Sequence, residues 1–145
     1  MTHPEEDCDM EQYDKPLPLP SAETREFWEG CKRGELLMQQ CADCGTYRFF
    51  PRPMCHVCNS FSAEWSKVSG RGKVFSWVVV HQASPAFAGD VPYVVASVQL
   101  SEQDDLRIFG NVEGCSPKDV ELNMPVEVFF DEITEDISLP KWKPA

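Results

Sequence analysis

The sequence predicts a mainly β protein: one N-terminal helix, a metal-holding ribbon, and then a small closed β-barrel. Three observations predict it. Four cysteines form two C-x2-C pairs, Cys41/Cys44 and Cys55/Cys58, separated by ten residues. After Trp65 the hydrophobic pattern alternates with period two and stays there. Only one stretch, about residues 22–33, carries a helical face with start and stop signals. The expected organisation is a tail over residues 1–20, a helix and ribbon over 21–66, and a barrel with a C-terminal tail over 67–145.

The first twenty residues are acidic, and Pro16, Pro18 and Pro20 alternate with Lys15, Leu17 and Leu19. This composition favours extended backbone, free to lie along a partner or along the chain's own domain. Ser21 is the expected N-cap of the helix, with Glu23 and Glu26 near the positive end of its dipole. Phe27, Trp28 and Cys31 share one face, Lys32 and Arg33 occupy the last turn, and Gly34 suits the left-handed residue beyond it. Two adjacent aromatics on so short a helix need a substantial docking surface, either the chain's own ribbon and barrel or another subunit.

Each C-x2-C pair can form a knuckle that aims two thiolates at one point, and ten residues are enough to bring the second knuckle opposite the first. A structural zinc ion held by Cys41, Cys44, Cys55 and Cys58 is therefore expected, in preference to two disulfides or a redox pair. His56 lies within the second knuckle as a bystander, since four thiolates fill the tetrahedron. Cys31 and Cys115 read as small packed hydrophobes, and Cys8 as an exposed tail residue. Between the knuckles run Tyr47, Arg48, Phe49, Phe50, Pro51, Arg52 and Pro53. These are either the ribbon's small core or a grip for a ligand with rings and phosphates.

Beyond the ribbon, Ser69–Gly72 makes a turn, strands are expected over 73–81, 93–100, 106–112 and 125–133, and residues 139–142 add a final edge strand. Four or five short strands without an intervening helix close most simply into a barrel.

The formal charge of −11 is uneven. Residues 1–30 carry nine acids and two bases, residues 31–73 three acids and seven bases, and residues 74–145 twelve acids and four bases. A basic island thus sits in an acidic chain. The chain as a whole is repelled by polyanions, but a compact anion can bind at the island. No apolar run reaches the ~20 residues a membrane-spanning helix needs. The acidic start is unlike a secretory leader, and the cysteine usage fits a reducing cytoplasm.

In order and spacing, several segments together carry a family resemblance: Phe27-Trp28 followed by Gly34-Glu35-Leu36, the four cysteines, Pro51-Arg52-Pro53, Ser69-Gly70-Arg71-Gly72-Lys73-Val74, Pro92-Tyr93 and Leu139-Pro140. Over about residues 21–144 the chain resembles the acyl-CoA-associated OB-fold proteins with a rubredoxin-like zinc ribbon, long catalogued as a domain of unknown function. The resemblance implies an OB-fold barrel and a non-catalytic role. It implies a thiolase-superfamily partner, in an assembly such as α2β2, or a hotdog-fold hydratase. The partner would form or cleave C–C bonds of an acyl-CoA, while this chain shapes the channel for the acyl-CoA and its CoA moiety. On this expectation Arg48, Phe49, Phe50, Arg52, Arg71 and Lys73 are the candidate CoA contacts, and Phe27, Trp28 and Trp142 the candidate partner interface.

The residues agree that catalysis lies elsewhere. The three histidines, His3, His56 and His81, are scattered, and no nucleophile, base and orienting group assemble. A zinc ion closed by four thiolates has no open position for activated water. The rival classes are a single-stranded nucleic-acid binder, which the charge opposes, and a rubredoxin-like electron carrier with iron on the same thiolates.

Overall fold

The computed structural model describes residues 13–145. The first twelve residues, with Cys8, His3 and most of the expected tail, lie outside the described residues. The proline-rich segment that follows lies along the chain's own barrel: Lys15 pairs with Asp90 and sits 5.8 Å from the ring centres of both Tyr13 and Phe87.

Helix α1 spans Arg25–Lys32, shorter at its start than the expected 22–33. Ser21 does not cap it directly. Ser21 and Thr24 instead close a turn on each other: the Ser21 N–H donates to Thr24 Oγ1 at 2.9 Å, and the Arg25 N–H donates to the Ser21 carbonyl at 2.9 Å. The C-terminus is as read. Gly34 stands at φ +79°, its N–H reaches the Cys31 carbonyl, and the Glu35 N–H reaches the Gly30 carbonyl at 2.8 Å, which satisfies two of the helix's last acceptors.

The ribbon is a three-stranded antiparallel sheet of β1 (Leu37–Cys41), β2 (Tyr47–Arg48) and β3 (Ala63–Lys67), with β1 in the centre. Five further strands form the barrel: β4 (Arg71–Val80), β5 (Tyr93–Leu100), β6 (Arg107–Val112), β7 (Pro125–Glu132) and β8 (Ser138–Pro144). The strand order is β4-β5-β6-β8-β7, with β7 pairing back onto β4. The last strand is therefore not an edge. It closes the barrel, antiparallel to β7 along its whole length and parallel to β6 at the single position Val112–Trp142. That one pair is the whole of their ladder, so the boundary between β6 and β8 is a seam closed mainly by packing.

One continuous core joins the parts. Val74, Val98, Leu100 and Trp142 fill the barrel, and Phe27, Cys31 and Met38 extend the same core beneath the helix. Burial pushes the Cys31 thiol up to about 12, which makes it a packed hydrophobe at neutral pH. Two devices fix the ribbon on the barrel. The Gln103 side chain accepts from the Tyr47 N–H and donates to the Tyr47 carbonyl, both at 2.9 Å, as a strand neighbour would. The Ser69 N–H donates to Glu102 Oε1 at 2.8 Å.

Gly70, in the linking turn, has φ +73° and faces Val128 so closely that a Cβ would overlap it. Gly70→Ala is expected to cost about 1–2 kcal/mol from backbone strain, with the overlap in addition. A urea midpoint that falls without a change in slope is the check.

Candidate metal centre and aromatic groove

The two knuckles are built alike. The Cys41 carbonyl accepts from the Gly45 N–H, and the Cys55 carbonyl from the Asn59 N–H, each at 3.0 Å. Both donors are left-handed, Gly45 at φ +76° and Asn59 at φ +62°, and these are the residue types that tolerate that conformation best. The matching turns bring the four Sγ atoms within 4.8 Å of one another, with Cys41–Cys58 at 3.5 Å and Cys44–Cys55 at 3.6 Å. A tetrahedral zinc ion with Zn–S bonds of ~2.3 Å requires sulfur separations of ~3.8 Å. The cluster fits that ion, and the four predicted ligands come together. When bound, such an ion is coordinatively closed and cross-links a sheet with little interior of its own.

The sulfurs share their charge unequally. The N–H groups of Cys44 and Asp43 hold the Cys41 thiol down to about 6, and those of Cys58 and Val57 lower Cys55. The Ser60 N–H lowers Cys58, but the Cys41 sulfur, burial, and the sulfurs of Cys44 and Cys55 outweigh it and push Cys58 up to about 12. Metal uptake near neutrality must therefore expel protons, and affinity rises with pH. The depressed Cys41 value favours the folded ribbon above the ordinary thiol range near ~8.5, and this contribution is lost as pH falls through about 6. Zinc held at pH 7.5 is expected to be released on progressive acidification, with protons taken up by the thiols as the metal leaves. Zinc retention independent of pH would contradict the thiolate set.

The second feature is a groove of about 270 Å³ where helix, ribbon loop and barrel seam meet. Its walls include Trp28 from α1, Phe49 and Phe50 from the inter-knuckle loop, and Phe109 from β6. The Phe49 and Phe50 rings stack at 4.5 Å, and Phe109 is 72% exposed. Gly110 lets β6 lie close against β8 beside the groove, since a Cβ there would meet the Trp142 indole edge at 2.8–2.9 Å.

The structure divides the remaining sequence candidates. Phe49, Phe50, Phe27 and Trp28 meet at the groove, while Arg52, Arg71 and Lys73 are exposed and do not line it. Arg71 and Lys73 lie on β4, where Lys73 borders a separate depression beside Asp104. Three assignments need correction. Arg48 is 4% exposed, with its guanidinium directed at Gln39 and the Arg52 carbonyl, so it is not an exposed phosphate contact. Trp142 is wholly buried in the barrel core and cannot present its ring to a partner. Phe27 touches the groove but is buried in the core, which leaves Trp28 as the more exposed aromatic of that pair. Sequence reasoning missed Phe109, whose exposed ring between Ile108 and Gly110 reads only as part of a strand. Cys115 lines a second cavity of about 570 Å³, where burial and the Asp119 charge raise its thiol above the ordinary range, the opposite of nucleophile activation.

A rubredoxin-type four-cysteine ribbon followed by a five-stranded barrel of this order defines an OB-fold zinc-ribbon protein. Family profiles agree: one described as "ChsH2, rubredoxin-like zinc ribbon domain" matches residues 28–64, and "ChsH2, C-terminal OB-fold domain" matches residues 65–131. A "DUF35 domain-containing scaffold protein" of Methanocaldococcus jannaschii is 40% identical over 102 residues, covering 70% of this chain and 71% of that protein. The chain belongs to the DUF35 family of zinc-ribbon and OB-fold proteins. A Thermomonospora curvata protein named "Probable enoyl-CoA hydratase alpha subunit" is 37% identical over 132 residues. That match takes in 90% of this chain but spans only 40% of the relative's length. A solved structure described as "Ltp2-ChsH2(DUF35) aldolase" superposes with a TM-score of 0.80 at 35% identity, covering 88% of this chain and 98% of that one. Among the described residues, no helix is long and apolar enough to cross a membrane.

Proposed function

We propose that this chain is a non-catalytic subunit of a hetero-oligomeric enzyme that acts on acyl-CoA, and that its aromatic groove forms part of the surface shared with the catalytic subunit and substrate. The groove is the observation that carries the reading. Its rings are brought together by three separate elements, and Phe109 is left open to a further body. A large exposed aromatic at the rim of an apolar slot is the usual anchor of a protein interface. The enoyl-CoA hydratase subunit name of one relative supports the acyl-CoA context, and the aldolase description of the solved structure supports a place beside an enzyme. A thiolase-like catalytic partner is the first choice, and a hotdog-fold hydratase the second. Arg52, Arg71 and Lys73 remain exposed cations suited to CoA phosphates, since guanidinium and ammonium groups pair with phosphate oxygens.

The test is affinity capture of the tagged chain from its native cells, followed by acyl-CoA turnover by the recovered assembly. Recovery of a thiolase-like or hydratase subunit in near-equal amount, with turnover that needs both chains, is the expected result. Phe109→Glu should weaken the assembly at least tenfold, and Arg52→Ala/Arg71→Ala/Lys73→Ala should raise the KM for acyl-CoA while leaving assembly intact. Recovery of nucleic acid without an enzyme would replace this reading. The outer face of β4 to β6 carries Phe75 beneath Arg107 at 3.7 Å, and OB-folds use that face for oligonucleotides.

A further inference from the structure

The ribbon buries one cation without a visible anion. Arg48 is almost fully enclosed, and every acceptor it reaches is neutral. Its Nε donates to Gln39 Oε1 at 2.7 Å and to the Arg52 carbonyl at 3.1 Å, and Nη2 donates to that same carbonyl at 2.8 Å. Nη1 is buried with no partner. Among the described residues, Arg48 enters no ion pair. A buried charge that faces only dipoles is strongly unfavourable, so native structures place a compensating charge near it.

The register shows where that charge lies. Arg48 is the cross-strand partner of Gln39, so the two share one face of the ribbon sheet. Cys41, two residues beyond Gln39 on β1, lies on the same face. Arg48 and Cys41 are therefore diagonal neighbours, with Cα atoms roughly 7–8 Å apart. When four thiolates hold a divalent ion, the centre keeps a net double negative charge, the largest in the ribbon.

We propose that Arg48 is the built-in counter-charge of the four-cysteine metal centre, offsetting its negative charge from the neighbouring strand and thereby tightening metal binding. The inference rests on the metal centre alone and not on the acyl-CoA reading. It also accounts for the neutral acceptors. Gln39 and the Arg52 carbonyl orient the guanidinium without cancelling its charge, whereas a carboxylate there would have neutralised it.

The competing account is a mechanical brace, because Gln39 Oε1 also accepts from the Arg52 N–H at 2.7 Å and so ties down the loop before the second knuckle. The two accounts separate in the full chain. Zinc affinity is measured by competition with a chromogenic chelator. The same site is then loaded with iron, and its reduction potential is measured by voltammetry. Arg48→Met should lower zinc affinity about 10–100-fold, the usual cost of losing an outer-shell partner. It should also move the iron potential to more negative values, since the reduced centre carries the greater negative charge and loses its counter-ion. Arg48→Lys should keep the potential near that of the parent, and so should Gln39→Leu, which removes the brace but leaves the cation. If Arg48→Met does not fold, Arg48→Gln serves, because it is neutral and retains an N–H for the Arg52 carbonyl. An unmoved potential in the neutral variants, or an equal shift in Gln39→Leu, would overturn the proposal in favour of the brace.

Discussion

Replacing Cys55 by serine is expected to remove zinc from the chain and to unfold the ribbon. Cys55 is fully buried, its sulfur stands 3.6 Å from that of Cys44, and the Val57 N–H points at it from 3.4 Å. A serine oxygen is too hard a ligand to stand in for a thiolate on zinc. The knuckle end of the ribbon has little packing of its own: β2 is two residues long, and Val57 and Phe61 are exposed rather than packed. In zinc-finger peptides metal binding is worth ~10–16 kcal/mol of apparent folding free energy. Metal analysis should fall from one zinc per chain to nearly none, and hydrogen exchange should rise across β1 to β3. The barrel strands should keep their protection at β4, β5 and β7, whose ladders do not involve the ribbon. A Cys55→Ser chain that keeps stoichiometric zinc would remove Cys55 from the ligand set.

The second large effect is expected in the barrel. Trp142→Ala should destabilise the chain by about 3–5 kcal/mol, the range for deleting a large buried aromatic. Trp142 is wholly buried, pairs with Val128 on one side and Val112 on the other, and makes the single match between β6 and β8. Its loss empties the core at the barrel's weakest closure. Its Nε1 has no hydrogen-bond partner, so a substitution that keeps an aromatic ring sacrifices volume but no bond. Trp142→Phe should therefore cost well under half as much. Thermal or urea unfolding of the two variants checks the ratio, and equal losses would point to a hidden polar role for the indole.

Much of this molecule is legible in its sequence because the decisive signals are local. Cysteine spacing defines the knuckles, since a C-x2-C turn needs only its own residues. Gly34 marks the helix end because only a left-handed residue completes that turn. The strands from Tyr93 to Leu100 and from Pro125 to Glu132 follow from alternation. Apart from the start of the helix, the failures concern where distant segments meet. The final strand reads as an edge because closure depends on which distant strand it meets, and local alternation carries no such information. Trp142 shows the cost of overlooking a signal that was present: Lys141 and Lys143 flank it in the pattern of a strand with one face buried. Arg48 carries no comparable signal. Its burial depends on Gln39 and the Arg52 carbonyl, and no rule of composition places an arginine beneath a loop. The groove depends on three elements folding against one another, so its rings could be named in advance but not its shape or its seat on the barrel seam.

That seam makes one boundary of the barrel depend on side-chain packing rather than on ladder pairs. Every other strand boundary is zipped by several ladder pairs, whereas β6 and β8 are matched once. Widening the gap between Gly110 and Pro140 therefore breaks no sheet hydrogen bond, and its resistance comes from the side chains wedged across it. Residues of the helix and of the ribbon loop line the groove along this boundary, so the seam is held by packing from three elements where its neighbours are held by ladders.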